Sequence, residues 1–265
     1  MTDACWIELD GAVNVRDLAG LPTADGRTVQ PGRLIRSDNL QGLSDRDVRM
    51  LVEQIGVRSV ADLRTGVEVT HEGPGPLVEI EDVEIHHLSL HPEHGDTTDV
   101  AADAEEPVVL PWQNSAGEQN NGRRGTSGVY LKYLDDRADS VIAALRLIAA
   151  SPGATIVHCA AGKDRTGTIV ALALAEVGVT RDAIVVDYVR SAERIEAILE
   201  RLRTTRTYAQ DLADNPDVGK HAPREATMER LLDTVDHEFG GVDAWLRAHG
   251  WTEADAAALR RKLLD

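Results

Sequence analysis

The chain has 265 residues, 42% of them apolar but only 3% aromatic, so it is long enough to bury a core built mainly of Leu, Val, Ile and Ala. Forty-five Asp and Glu against 28 Lys and Arg leave a formal net charge of −17, which excludes non-specific binding to nucleic acid and docking on anionic membranes, both of which need a basic surface. Two cysteines far apart in the chain, Cys5 and Cys159, argue against a disulfide framework and suit a reducing compartment where a lone thiol does chemistry.

The opening residues MTDACWIELDG hold neither a basic nor a long apolar run, so no secretory leader is expected. No stretch reaches the length of a bilayer span, so no stable membrane insertion is expected either. A cytoplasmic location follows as an expectation, with export by a route lacking such a leader left open.

To about Gly42, Gly, Pro and polar residues surround short apolar pieces such as Arg33-Leu34-Ile35, predicting short strands and turns. Ser44 with Asp47 predicts a capping box opening a helix that Gly56 ends. Val57 to Leu63 and Val83 to Leu90 read as buried strands. From His91 to Ser127 the composition shifts to Asp, Glu, Asn and Gly with little periodicity, which predicts a flap or flexible insertion over 91–127.

Val141, Ile142, Leu145, Ile148 and Ala149 fall at helical spacing. Pro152-Gly153 breaks the chain before a short strand at Thr155-Ile156-Val157. The stretch from Thr166 to Gly178 is apolar on almost every side, which predicts a buried helix. Thr180 is expected to cap a helix to about Ser191, with more helix to about Arg203, breaks near Asn215-Pro216 and Gly240-Gly241, and a last helix capped by Thr252 with Asp255. With no internal repeat and no clear linker, residues 1–265 read as a single α/β domain: a central, mostly parallel sheet flanked by helices, with a helical C-terminal elaboration.

The chemistry concentrates in His158-Cys159-Ala160-Ala161-Gly162-Lys163-Asp164-Arg165-Thr166-Gly167, between a buried strand and a buried helix. The first N–H groups of a helix lack internal partners and its macrodipole is positive there, so a short loop wrapping onto that end makes a nest of donors for a phosphate. Small residues at Ala160, Ala161 and Gly162 let the anion reach the backbone. The same field favours the thiolate of Cys159, the form that attacks phosphorus. The planar fork of Arg165 can hold two phosphoryl oxygens, and Lys163 adds a point charge. Asp164, a carboxylate inside an anion site, weakens that field. This points to a chemical role, as acid for the leaving oxygen and then base for water, with a bound anion raising its pKa. Thr166 is placed to donate a hydrogen bond to the sulfur as it leaves, and His158 supports the cysteine.

This strand–loop–helix pattern resembles the signature of the cysteine-dependent protein-tyrosine phosphatases, in the HCAAGKDRTG version of the bacterial family typified by mycobacterial protein-tyrosine phosphatase B. Asn14-Val15-Arg16-Asp17-Leu18-Ala19-Gly20, Arg36-Ser37, Asp62-Leu63-Arg64 with Glu68, and Asp187-Tyr188 extend the resemblance over most of the chain. It implies a tyrosine-phosphatase-like fold, a two-step reaction through phosphocysteine, neither metal nor cofactor, and the stated roles for Cys159, Lys163, Asp164 and Arg165. Phosphorylated protein substrates are implied, chiefly phosphotyrosine, with phosphoserine, phosphothreonine and phosphoinositides accepted by some relatives. Ala160 departs from the mycobacterial type, which carries a large aromatic residue there. A helical pair covering the pocket is implied somewhere between about 191 and 232. The Trp-Pro-Asp acid loop of eukaryotic relatives is missing, since Pro111-Trp112-Gln113 is out of order and lacks the acid. This favours Asp164.

Other readings fit these residues less well. A Walker loop fails because the earlier glycine is missing and Asp164 replaces the hydroxyl residue. A rhodanese-type sulfur transferase lacks the His-Cys start, and a binding module without catalysis would not need Asp164 and Arg165 together. A phosphoinositide phosphatase is the alternative within the same chemistry. Lys163 and Asp164 read alternatively as a solvated salt bridge. His86, His87, His91 and His94 read as exposed residues rather than metal ligands. Glu93 and Asp96 are secondary candidates at the pocket mouth, Asp62, Arg64 and Glu68 read as a buried structural group, and Cys5 as passive.

Overall fold

A computed structural model describes residues 5–92 and 126–265. Six short strands form one sheet: β1 (Cys5–Trp6), β2 (Arg16–Asp17), β3 (Leu34–Ser37), β4 (Val57–Asp62), β5 (Glu84–His87) and β6 (Ala154–His158), in the order β1-β2-β3-β6-β4-β5. The strands β3, β6, β4 and β5 run parallel, while β1 and β2 join antiparallel at one edge. This is the expected α/β architecture with a mostly parallel sheet.

Alternation along the strands sorts side chains onto two faces. Leu34, Ala61 and Val157 face one cluster, and Ile35, Val60, Ala154 and Ile156 the other. All five residues of β6 are buried, which places its C-terminal end in the middle of the sheet.

The helices described are α1 (Asp45–Arg49), α2 (Gly66–Glu72), α3 (Thr126–Asp136), α4 (Ala138–Ala150), α5 (Asp164–Glu176), α6 (Arg181–Val189), α7 (Ile195–Arg203), α8 (Ala209–Asp214), α9 (Val218–His221), α10 (Glu225–Phe239), α11 (Val242–Ala248) and α12 (Glu253–Leu264). The apolar stretch after the loop becomes α5, with Ile169 to Leu174 all buried, as expected of a helix without a polar face. It lies on the sheet, and α3, α4, α6, α11 and α12 surround it.

Three local expectations change. The helix opened by Ser44 continues beyond α1 as a π-helix over Met50–Ile55 before Gly56 ends it at φ 80°. The second strand is shorter than read and largely exposed, because β5 is the sheet edge and carries Glu84, His86 and His87 instead of an apolar run. Thr180 has N-cap geometry but its side chain makes no capping bond. Its N–H donates to the Pro22 carbonyl and ties the helix start to the N-terminal segment.

The capping boxes at Ser44/Asp47 and Thr252/Asp255 are both present. Asp47 also accepts from the N–H groups of Asp10 (2.9 Å) and Gly11 (2.8 Å), so one buried carboxylate pins the N-terminal segment to α1. Asp47→Ala leaves several donors unsatisfied and is expected to lower the unfolding free energy by about 2–3 kcal/mol. Urea unfolding checks this, and an unchanged midpoint would contradict it.

Candidate active site

The loop from Cys159 to Arg165 leaves the centre of the sheet and enters α5. Its shape follows from what holds its carbonyl oxygens. The Ala160 carbonyl accepts from the Asn39 N–H (3.0 Å) and that of Ala161 from Asn14 Nδ2 (2.9 Å). The Gly162 carbonyl accepts from Asn14 Nδ2 (3.2 Å) and Arg36 Nη2 (2.8 Å), and that of Lys163 from Arg36 Nη2 (3.4 Å) and the Gly167 N–H (2.9 Å). In a trans peptide the N–H points opposite to the C=O. The N–H groups of Ala161, Gly162, Lys163 and Asp164 therefore turn to the concave side, where they meet no acceptor among the described residues. The loop is thus a cradle of backbone donors at a helix N-terminus without a side-chain cap. Gly162 makes the turn possible. Its φ is +67°, and a Cβ there would lie 2.4 Å from the Ser37 carbonyl oxygen.

The donors that hold these carbonyls are themselves fixed. Arg16 Nε and Arg36 Nη1 reach the two oxygens of Asp187 at 2.8 and 2.6 Å, and Arg16 Nη1 donates to Asn14 Oδ1 at 2.8 Å. All four side chains are buried. Burial pushes the Asp187 carboxyl up, but Arg16 and Arg36 outweigh it and the net direction is down. Burial lowers Arg16 to about 10 against the pull of Asp187, so it stays charged at neutral pH. Asn14 and Arg16, with Arg36 and Asp187, are therefore the scaffold of the loop.

Cys159, 2% exposed, lies at the base of the cradle. Arg165 is buried and held from behind. Its Nη1 and Nη2 donate to Glu68 Oε2 (2.7 Å) and Oε1 (2.8 Å) in a bidentate pair. The Asp62, Arg64 and Glu68 group accordingly divides. Asp62 and Arg64 close on each other at 2.6–2.9 Å, whereas Glu68 belongs to Arg165. Glu68 also accepts from the Thr65 N–H (2.7 Å) and the Tyr208 hydroxyl. Burial would raise its pKa, but the Arg165 charge prevails and the direction is down.

On the other side of the loop, Asp164 accepts from Lys163 Nζ at 2.9 and 2.7 Å and from the Tyr130 hydroxyl. Tyr130 and Tyr188 share a hydroxyl contact at 2.8 Å, and Tyr133 stacks on Tyr130 with centroids 6.0 Å apart. Burial raises the Asp164 pKa, while Lys163 and the Tyr130 hydroxyl bring it below the usual carboxylate range. The expected rise belongs to the site with an anion beside it. From the protein's own groups the direction is down. The salt bridge with Lys163 is real, but it lies at the loop and not out in solvent, with Lys163 14% exposed and Asp164 29%. Thr166 Oγ1 is buried and has no hydrogen-bond partner among the described residues.

The tyrosine phosphatase family model matches residues 7–265. The chain belongs to the tyrosine phosphatase family. This phosphatase is 30% identical to the triple specificity protein phosphatase PtpB of Mycobacterium tuberculosis, over 97% of its own length and 98% of that relative's. It is 26% identical to a tyrosine-protein phosphatase of Nostoc commune, over 98% of this chain and 83% of the other.

The structure gathers Cys159, the Ala160–Lys163 backbone, Asp164, Arg165 and Thr166 of the phosphatase around one cradle, with His158 behind. It adds Glu68, Tyr130, Tyr133 and Tyr208, which sequence reading did not assign to the site. Tyr130 and Tyr133, three apart on one helix, were the available signal. Ala160 packs with Ile195, Ile198, Leu199, Leu202, Tyr208 and Leu212, so its small side chain seats the helices α7 and α8 against the loop.

Among the described residues, His86, His87 and His91 do not converge. His86 is exposed near Glu84, and His87 Nε2 meets the Arg64 carbonyl at 2.6 Å. His91 is buried edge-on to Tyr133, with centroids 5.1 Å apart. Glu93, His94, Asp96 and Pro111-Trp112-Gln113 lie outside the described residues, as does nearly all of the expected 91–127 insertion. Among the described residues no group of three or more His, Cys, Asp and Glu comes together, and no helix is long and apolar enough to cross a membrane. Cys5 is exposed and, like Cys159, carries a free thiol.

His158 sits behind the cysteine with Nε2 3.5 Å from Asp62 Oδ1 and Nδ1 3.3 Å from the Cys159 carbonyl oxygen. Burial lowers its pKa from 6.5 to about 4, against the pull of Asp62. The unfolded chain therefore binds a proton there that the folded chain refuses. Stability is expected to fall as pH drops through 6.5 and to level off, for this group, only below about 4. Unfolding free energies of the wild type and His158→Gln across that range measure it. The wild-type curve should fall more steeply, and parallel curves would contradict the assignment.

Proposed function

We propose that this phosphatase hydrolyses phosphate monoesters through a cysteinyl-phosphate intermediate, with protein phosphotyrosine as its principal substrate and phosphoserine and phosphothreonine also accepted. The observation that carries the reading is the cradle of outward-held carbonyls and inward N–H groups above a buried thiol, with a carboxylate and an oriented guanidinium on its rim. The triple specificity in the name of one relative supports breadth.

In the first step Cys159 Sγ attacks phosphorus, the bond from phosphorus to the ester oxygen breaks, and Asp164 delivers a proton to the leaving oxygen. A dianionic phosphoryl group beside Asp164 opposes its ionisation and moves it toward the protonated form that this step needs. The N–H groups of the loop and Arg165 stabilise the equatorial oxygens, and Glu68 holds the guanidinium fork in place so that little reorganisation is required. In the second step water attacks phosphorus, Asp164 takes the proton from it, and the sulfur departs as thiolate with Thr166 Oγ1 as hydrogen-bond donor. Inorganic phosphate is released.

The helical stretch around 191–232 serves, in this reading, as a cover over the pocket. The packing of α7 and α8 on Ala160 and the contact of Tyr208 with Glu68 support it. The second reading, a phosphoinositide substrate, draws on the added cation Lys163 beside the cradle. Relative rates on phosphotyrosine peptides and phosphoinositides separate the two.

Cys159→Ser is expected to reduce turnover of an aryl phosphate to background while still binding phosphopeptides; undiminished turnover would refute the nucleophile. Asp164→Asn is expected to lower kcat by about 10²–10³-fold, with a larger loss for esters of poor leaving groups than for activated aryl esters. Equal losses on both would remove Asp164 from the acid role.

A further inference from the structure

At the far end of α5 from the loop, an open cleft of about 340 Å³ lies where α5 and α10 end and α6 and α11 begin. Two helix ends and two helix starts largely offset each other's dipoles, so side chains decide the sign of its potential. Glu176, Asp236 and Asp243 line it, with Arg181 as the one lining cation among the described residues. Arg181 engages Asp233 at 2.7 Å and Asp236 at 3.0 Å, and Arg247 engages Asp243 and Glu253, each at 2.8 Å. Arg260 Nη2 reaches the Glu176 carbonyl oxygen at 3.4 Å. Five carboxylates thus share three guanidinium groups, and the cleft keeps an excess of negative charge.

A separate observation concerns one of these carboxylates. Glu176 is only 8% exposed. Its Oε1 accepts from the Trp251 indole Nε1 at 3.0 Å, while its Oε2 is the only buried carboxylate oxygen without a hydrogen-bond partner among the described residues. The carboxylates of Asp47, Glu68 and Asp187, equally buried, are each held by several donors. Burying an ionised oxygen without a donor is costly, so Oε2 calls for a donor from outside the chain. Burial raises the Glu176 pKa against the pull of the Trp251 indole, and Asp243 adds to the rise. A cation at Oε2 works in the opposite direction.

The chemistry of the wall selects among cations. A divalent metal needs several oxygen ligands, and no group of three or more acidic, His or Cys side chains converges among the described residues. A guanidinium fork is best met by both oxygens of a carboxylate, and the indole already occupies one. An ammonium is satisfied by a single oxygen. Val179, Ile184, Leu232 and Val242 give the cleft an apolar side suited to a methylene chain.

We propose that this cleft binds a small aliphatic diamine, with one ammonium on Glu176 Oε2, its methylene chain along the apolar side and the second ammonium toward Asp236 and Asp243. The net charge of −17 draws such a dication toward the protein. The site stands apart from the phosphate loop and does not depend on the phosphatase reading.

The test titrates the full chain with cadaverine at neutral pH, following heat by calorimetry and the Trp251 indole N–H by NMR. Saturable binding with a dissociation constant below about 1 mM is expected, with the indole shift following the same curve. The corresponding diol should not bind, and magnesium chloride at matched ionic strength should not displace the amine. Glu176→Gln keeps an acceptor for the indole and is expected to weaken binding by at least about tenfold. Ala244→Lys, at an exposed position on the rim, supplies a tethered ammonium and is expected to block it. Glu79→Gln, which removes the same charge from an exposed site elsewhere, should bind as the wild type does. Circular dichroism verifies the fold of each variant. The proposal is overturned if no saturable binding is seen, or if the diol binds equally. It is also overturned if magnesium displaces the amine, or if Glu176→Gln and Ala244→Lys bind like the wild type.

Discussion

The orientation of four peptide groups is the constraint on which the site depends. Backbone carbonyls at 160 to 163 would otherwise present negative dipoles to an incoming phosphate. The Asn39 N–H, the Asn14 amide and the Arg36 guanidinium draw them outward. Arg36 directly, and Asn14 through Arg16, are fixed by Asp187 in α6, far away in sequence. The buried triad of Arg16, Asp187 and Arg36 is thus a device for orienting dipoles. A buried ion cluster is weak evidence for stability in itself, but here its geometry decides which way a catalytic loop faces.

The same logic resolves the apparent contradiction between an acidic protein and an anionic substrate. Net charge acts at long range and is screened beyond about 8 Å at physiological salt. In the proposed reaction, what the substrate meets at contact is a set of N–H groups, one helix end and Arg165. Glu68 does not cancel Arg165: it lies behind the guanidinium, occupies two of its donors and fixes its plane. Asp164 has a different relation to its cation. Its partner Lys163 is the preceding residue, and Tyr130 bonds the same carboxylate, so its proton affinity depends on groups that an approaching phosphate can perturb.

Sequence reading was most effective where function or folding is encoded in contiguous residues. The stretch His158 to Gly167 specifies its own strand–loop–helix context, and the boxes at Ser44 and Thr252 are closed within four residues. It was least effective where distant segments meet. Glu68 fills the N3 position of a helix cap, and nothing local distinguishes a capping glutamate from one that also holds Arg165 across 97 positions. Tyr130 and Tyr208 are single aromatic residues whose hydroxyl partners come from other elements. Asp62 and Arg64, two residues apart, were legible as a pair because their contact is local. Thr180 has an appropriate residue type and backbone for a cap, but tertiary contact with Pro22 replaced the side-chain bond. β5 lies exposed at the sheet edge, a placement that the local residue pattern does not distinguish from a central one.

The orientation of the loop can be observed directly. In Cys159→Ser protein labelled with ¹⁵N, backbone amide resonances of Ala161, Gly162, Lys163 and Asp164 can be followed during titration with tungstate, a tetrahedral dianion. Large, concerted proton shifts of these four amides to lower field, saturating together, are the predicted result. Binding of tungstate that leaves these amides unmoved would show that the cradle does not face the anion and would contradict the account.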